Sequence, residues 1–511
     1  MYRTAAHGAC RVWAAASLPG HTTPYPTFTA RHLALARPNN TTIKPAEDEG
    51  VRWRFPADDY LEGMVARVKN GLSQTTTLTL NATSVLTHDL MEEALVHLYE
   101  KVESLRVCLR PRQGQLWVAD MPRRKLDFKS VSGSDLEEQH STFRYSPFNL
   151  HDGPLWKARL MPCPEDTPCP TPEVKAAFPH QCHLLMSVHH AANDGAVVMR
   201  MTQLLVDILD SLLQGVPVTS QQIGELRDGV EAREEEARMR AALLQNPEKL
   251  VEALRQHLGS KHLPLLMEAF GMPNVANATT EDFAPVILDN QTMEKFANKC
   301  RSLGATTNAA FTALINASLV EVVREAGLHR DVYNISSRHP VDYRRLIKDC
   351  ESLPLGNHNI AMSQNTVTPT NVKKHFWEYV KHLDIELRDK LRRNYICEER
   401  MLEVLLRPRQ HTQGEQIAPR QLPCWDYMFS NLYSPRTAYH AAGKCVQVTA
   451  AANYMSLPNE RMAYGVGVFS FRGQARLQFY FSTNTISREV AQRCLEKILA
   501  LFHDVSRNYI K

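Results

Sequence analysis

The chain lacks any unbroken run of the about 18 apolar residues that a membrane span needs, its longest candidates being interrupted by Asp or Arg. A transmembrane helix is therefore not expected. It also has little net charge, +4 over 511 residues, which makes no case for a nucleic acid as partner. It has no C-x-x-C pair: eleven cysteines, an odd number, are scattered from Cys10 onward. Reduced thiols in an intracellular compartment fit that pattern better than a disulfide framework or a zinc site. No G-x-S-x-G element occurs, so the nucleophile turn of a serine hydrolase is missing. Short-period repeats and low-complexity tracts are also missing. Residues 1–46 carry no acid at all, while Arg3, Arg11, Arg31, Arg37 and Lys44 make them basic. Such a segment reads either as an organelle transit peptide or as a disordered leader, which leaves cytoplasmic and mitochondrial locations open.

What is present is ordinary globular material, 43% apolar and 22% charged. At this length one hydrophobic core stops growing, and two domains are expected. TTTLTLNAT (75–83) has the β-branched alternation of a strand. Asp89 with Glu92 then reads as the opening of a helix whose Met91, Leu95, Leu98, Val102 and Leu105 recur at helical spacing. LRVCLR and QLWVAD flank PRQG as a hairpin, FNLHDGPLWKARLM feeds a strand, and CHLLMSVH is another. A helix over about 194–214 carries Val198, Met201, Leu205, Ile208 and Leu212 on one stripe, with Gly215 and Pro217 as its stop.

Residues 219–262 are dense in Glu, Arg and Lys and read as exposed helix. From APVILDN (284–290) the alternation of strands and helices resumes, with helices near 291–303, 306–326 and 371–394 and a last one from Ser487. The reading is an α/β protein: a leader over 1–50, a first domain over 51–218, a charged helical connector over 219–280 and a second domain over 281–511.

The stretch with the most chemistry in it is HLLMSVHHAANDG (183–195). If 182–190 are extended, Leu184, Met186 and Val188 share one face with His190, while His183, Leu185, Ser187 and His189 share the other. Only one of the adjacent histidines then enters a given site. A lone histidine in an apolar run is more often a satisfied core residue. The spacing adds weight to the functional alternative. Asp194 falls where strand gives way to helix and can accept hydrogen bonds or an ion pair there, and Gly195 can allow close backbone approach or an unusual dihedral.

HHAANDG resembles the HHxxxDG motif of the chloramphenicol acetyltransferase-like superfamily, which includes nonribosomal peptide condensation domains, alcohol acetyltransferases and polyketide-associated acyltransferases. FNLHDGPLWKARL (148–160) is similar to the segment that precedes the motif strand in that superfamily. SSRHPVDYRRL with LPLGNHN (336–359) is similar to its arginine-bearing strand and Leu-Gly-Asn loop, and FSNL (429–432) to its late Ser-Asn element. The likeness spans roughly 70–510 in order. The DFGWG element of the plant acyltransferases and the carnitine-type signatures are absent.

The resemblance implies two similarly built domains, each a mixed sheet flanked by helices, with an active-site tunnel at their interface. It implies acyl transfer from a thioester to an alcohol or amine, with His190 as general base and His189 and Gly195 in support. Asp194 would pair with an arginine, for which Arg338 is the candidate, and Ser430 or Asn431 would face the oxyanion. Acyl-CoA is the donor implied for a free-standing member. No metal and no bound cofactor are implied, and a monomer is expected. Two alternatives stay open: a condensation-type enzyme fed by a carrier-protein thioester, and an inactive binding protein of the same fold.

Overall fold

A computed structural model describes residues 51–507 apart from 59–60, 66–73, 133–134, 260–261, 276–277, 348–352, 407–424, 434–441 and 456–461. The leader assigned to 1–50 lies outside the described residues. The chain first forms β1 (Trp53–Pro56), β2 (Gln74–Ala82), α1 (His88–Lys101), β3 (Val107–Arg112), β4 (Gln115–Asp120), β5 (Phe128–Ser130), α2 (Leu136–Tyr145), β6 (Trp156–Pro162), β7 (His180–Val188) and α3 (Gly195–Leu213). It continues through β8 (Glu225–Leu226), α4 (Val230–Leu244), α5 (Pro247–Gly259), α6 (Leu265–Phe270), β9 (Thr280–Asp282), β10 (Val286–Leu288), α7 (Asn290–Ser302), α8 (Thr307–Glu325) and β11 (Val332–Asp342). It ends with β12 (Pro354–Leu355), β13 (Asn359–Pro369), α9 (Phe376–Arg392), α10 (Tyr395–Leu405), β14 (Trp425–Leu432), β15 (Val446–Met455), β16 (Met462–Phe471), β17 (Gln474–Ser482) and α11 (Arg488–Arg507).

Two mixed sheets organise these elements. One has the order β15-β2-β7-β6-β5, and Leu78, Leu80, Leu184 and Met186 on its strands form one core with Leu95 and Leu98 of α1 and Met201 and Leu205 of α3. The other has the order β10-β17-β16-β14-β11-β13, with β9 also on β17. Its core joins Tyr427 and Phe479 to Phe296, Phe311, Val380 and Phe502 of α7, α8, α9 and α11. The α/β class with helix-flanked mixed sheets is thus observed. No single helix among the described residues is long and apolar enough to cross a membrane. Helices α7 and α8 pass that test only together, across a 110° bend.

One strand crosses between the two halves. β15 lies late in the chain yet pairs antiparallel with β2 along its length, from Val446 opposite Ala82 to Met455 opposite Gln74. Asp210 near the end of α3 fastens its entry. Its carboxylate accepts from the backbone N–H of Lys444 at 2.8 Å, Cys445 at 2.5 Å and Val446 at 3.2 Å. Gly443 is needed there, because a Cβ would run into that carboxylate.

Local signals misplaced some boundaries. Thr87, not Asp89, caps α1, its Oγ1 accepting from Leu90 N at 3.3 Å, and Asp89 sits in the first turn. The single helix expected over 371–394 is α9, which stops where Asn394 takes a φ of 52°, followed at once by α10. The strand β13 escaped notice because its buried side is largely polar: Gln364, Thr366 and Thr368 are all within 4% of full burial.

Candidate functional site

β7 is held on both sides, Val188 lying opposite Gln74 of β2 and Trp156 of β6. It stops at Val188, two residues short of the extension expected over 182–190. The next residue turns: His189 N donates to Leu155 O at 2.8 Å, and its Nδ1 accepts from Ala191 N at 3.1 Å. The facing of the two imidazoles is therefore set by the turn and not by strand alternation. His189 is fully buried, with its ring edge-on to Phe148 at 5.4 Å. Burial, with the neighbouring His190 adding to it, pushes its pKa down to about 3, so it is neutral near pH 7.

His190 is half-buried. Its Nδ1 lies 2.9 Å from Asn193 O. A carbonyl oxygen only accepts, so Nδ1 carries the proton and the lone pair of the neutral ring is on Nε2. The backbone at this point is pinned as well. Asn357 Nδ2 donates to His190 O at 2.8 Å, and Ser104 Oγ donates to Asn193 Oδ1 at 2.6 Å.

Asp194 caps α3, accepting from Ala196 N and Val197 N at 3.2 Å each. Its carboxylate, 1% exposed, also takes a two-pronged guanidinium: Arg344 Nη1 at 2.8 Å and Nη2 at 3.2 Å. His358 N donates to it at 2.9 Å. The expectation that an arginine would hold Asp194 is met by Arg344, and the choice of Arg338 is corrected. Arg338 lies within β11 and points to α10, reaching Glu399 Oε1 at 3.0 Å and Glu403 Oε1 at 3.4 Å, with its guanidinium 4.7 Å from the Trp425 ring centre. Arg344 lies in the one-turn helix Tyr343–Leu346 just after β11 ends, and that turn brings it over the start of α3. Arg344 Nε also donates to Pro354 O at 3.0 Å, so the same side chain ties down the loop that carries Asn357 and His358.

Gly195 shows neither feature expected of it. Its φ is not positive, and a Cβ there would meet only Leu432 Cδ1 at 3.7 Å, because it is simply the first residue of a right-handed helix. The proximity of Leu432 is informative about β14. Side chains alternate along that strand, so Met428, Ser430 and Leu432 share a face. Met428 belongs to the same apolar cluster as Ala191 and Ala192, and Leu432 lies near Gly195 at the start of α3, so the face that carries Ser430 is turned toward the motif segment. Asn431 is on the other face, and its Oδ1 accepts from Tyr433 N at 3.0 Å.

A narrow cleft, partly open to solvent, borders the loop. Ala191 and Ala192 form part of its wall, with Asn357 and His358 from the far side. Sequence reasoning missed Arg344, Asn357 and His358, although all three stand in the segments SSRHPVDYRRL and LPLGNHN. Their signal was position, since each follows the end of a strand, where side chains are free to reach across. Among the described residues, no group of three or more His, Cys, Asp or Glu side chains is placed to hold a metal ion.

The condensation-domain family model matches residues 69–328. No curated protein matches the chain. Among solved structures, the condensation domain from monacolin K polyketide synthase MokA is similar at a TM-score of 0.61 and 14% identity, over 90% of this chain and 98% of that one. Polyketide synthase associated protein 5 from Mycobacterium tuberculosis is similar at 0.59 and 14%, over 90% and 100%. A variant starter condensation domain of rhizomide synthetase RzmA in complex with C8-CoA is similar at 0.59 and 14%, over 90% and 95%. The fold is the two-lobed chloramphenicol acetyltransferase-like one.

Proposed function

Because the chain belongs to the condensation-domain family, whose chemistry is acyl transfer, we propose that it moves an acyl group from free acyl-CoA to a hydroxyl or amine of a small acceptor, with His190 as general base. The observation that carries this reading is the hydrogen bond from His190 Nδ1 to Asn193 O, which puts the basic lone pair on Nε2 of a half-buried ring. Nε2 takes the proton of the acceptor O–H or N–H as that atom attacks the thioester carbonyl carbon. The tetrahedral oxyanion collapses, the C–S bond breaks, and the imidazolium returns the proton to the departing thiolate. No acyl-enzyme is needed, in keeping with the missing G-x-S-x-G.

Ser430 is the preferred donor to the oxyanion, since it shares a strand face with Leu432, which lies near Gly195, while the Asn431 carbonyl oxygen accepts from the nearby backbone of Tyr433. Asp194 and Arg344 act on the loop and not on the substrate. The similarity to a domain in complex with C8-CoA supports the free thioester as donor. The family match supports a second donor, an acyl group on a separate carrier protein.

Thiol release from acyl-CoA in the presence of mixed alcohols and amines tests the reading. Release in the parent protein, abolished in His190→Ala, supports it. Equal rates in both proteins leave a binding role standing. Release only from an acylated carrier selects the second donor.

A further inference from the structure

The carbonyl that decides the His190 tautomer belongs to Asn193, whose own placement has a cause outside the loop. The first half of the loop is closed by His189 N on Leu155 O at 2.8 Å and Ala192 N on His189 O at 2.9 Å, and its end by the capping carboxylate of Asp194. Asn193 stands between them, 1% exposed. Its side chain has a single tether among the described residues: Ser104 Oγ donates to Oδ1 at 2.6 Å, while Nδ2 of the same amide is buried and has no hydrogen-bond partner there. Ser104 is also 1% exposed and lies 89 positions earlier, in the one-turn helix Glu103–Arg106 that joins α1 to β3. That turn is fixed from several sides. Glu103 Oε2 accepts from Leu226 N at 2.9 Å and Glu103 Oε1 pairs with Arg54 Nη2 at 2.6 Å, Leu105 O accepts from Trp156 Nε1 at 3.2 Å, and Arg106 O accepts from Met121 N at 2.8 Å. A hydroxyl on so well held a support can set the orientation of the residue it binds.

We propose that Ser104 is a positioning residue: through Asn193 it keeps the His190 proton on Nδ1 and the basic lone pair on Nε2, without itself touching substrate. The kinetic part of this inference rests on the acyl-transfer reading, and the tautomer part stands without it. A carbonyl accepts from an N–H only where its lone pairs lie near the line of that bond, and a turn of the Asn193 peptide takes them away from Nδ1. The neutral ring can then carry its proton on either nitrogen. A ring protonated on Nε2 offers the acceptor no base there. Where the partner that sets the tautomer of a catalytic histidine is changed outright, the rate falls by up to about 10⁴-fold. Loosening the carbonyl from one residue further away should cost less, about 10- to 100-fold.

The test compares Ser104→Ala, Asn193→Ala and the protein with both changes. With isotope-labelled histidine, and His190→Ala to assign the ring, proton–nitrogen NMR at about pH 8, where an ordinary imidazole is neutral, reads which nitrogen holds the proton. The parent should show Nε2 unprotonated, and each variant an average of the two tautomers. In thiol release kcat should fall about 10- to 100-fold while KM stays within about twofold. The double change should lose no more than either single one, because both act along one chain of contacts. It also leaves neither buried polar atom without its partner, so it carries the test should Ser104→Ala fold poorly. The parent tautomer retained in the variants, an unchanged kcat, a loss carried by KM, or losses that add would overturn the proposal. An altered tautomer in the variants, with no thiol release from the parent protein, would sink the transferase reading and leave the role of Ser104 standing.

Discussion

The strand–loop–helix unit occurs twice with nearly the same dimensions. β7 has nine residues and α3 has 19, separated by 189–194. β17 has nine residues and α11 has 20, separated by 483–487. Both strands are buried and paired on both sides within a sheet, and both helices pack on its face. The loops differ in where their partners come from. The second is held by itself, by its own strand pair and by the residue just before β9: Thr485 Oγ1 donates to Ala463 O at 2.8 Å, Ser482 Oγ donates to Asn484 Oδ1 at 2.5 Å, Ser487 Oγ accepts from Val490 N at 3.4 Å, and Thr483 N donates to Thr279 O at 2.9 Å while its Oγ1 accepts from Thr279 N at 3.0 Å. The first is bound across the molecule by Arg344, Asn357 and His358. The strand and helix provide the frame in both cases. The outside partner of the second loop is a neutral threonine, whereas the first is fixed by a buried arginine–carboxylate pair, and only in the first does an imidazole stand half-buried with its tautomer decided.

The largest way to break this comparison is to remove the outside partners. Asp194→Ala leaves the Arg344 guanidinium, 11% exposed, with the solvent-exposed Asp342 carboxylate at 3.1 Å in place of its buried two-pronged partner, and also removes the α3 cap. Taking away one partner of a buried pair costs about 3–5 kcal/mol, so this protein should melt far below its parent or fail to accumulate. Arg344→Ala should do the same, measured by thermal or urea unfolding. A normally melting Asp194→Ala protein would mean that the two loops are held alike. Second in size is His190→Ala. Loss of a general base lowers the rate by about 10²–10⁴-fold, and since the ring is half-buried the melting temperature should stay close to that of the parent. Activity assayed beside unfolding separates the two variants.

Much of the frame was legible because it rests on local rules. The strands 74–82 and 180–188 and the helices 195–213 and 307–325 fall within a residue or two of where periodicity and stop signals put them. The motif loop was legible for the same reason, its Asp being a helix cap that sequence position alone reveals. Its partners were not. Arg338 and Arg344 stand six apart in one segment, and which of them meets Asp194 depends on where β11 ends, at Asp342, and on the single turn that follows. Strand ends are set by tertiary pairing, and no window of sequence contains it. β15 teaches the same point. Its alternation identifies a strand, but nothing in VQVTAAANY says that it will pair with residues 74–82 of the other half.

Acid sharpens the contrast by a smaller amount. Burial pushes His189 down to about 3, from about 6.5 in an unfolded chain. Between those values the unfolded chain binds a proton that the native ring does not, so stability is fully present above about pH 6.5 and falls as the pH drops toward 3. The loss is about 1.4 kcal/mol per pH unit for such a histidine. His339 on β11 is pushed to about 3 by burial too and adds a similar slope. The loop 483–487 holds no histidine. In His189→Asn, urea-unfolding free energies from pH 7 to pH 4 should therefore fall less steeply than in the parent. An unchanged slope would show that the His189 ring is already protonated in the native turn.

The smallest expected effect lies in the second loop. Ser487→Ala removes a helix-capping oxygen whose bond to Val490 N is long, at 3.4 Å, while Ser487 O still accepts from Ala491 N at 3.0 Å. Loss of a cap costs typically about 1 kcal/mol, well below the cost at Asp194, because here a neutral hydroxyl is deleted and no charge is left buried. Thiol release by Ser487→Ala should match the parent, since among the described residues no hydrogen bond or ion pair ties 483–487 to the segment 344–358 that positions His190. If this variant instead lost activity without losing stability, the second loop would be coupled to the first through the sheets that join them, and the two loops could not be treated as independent.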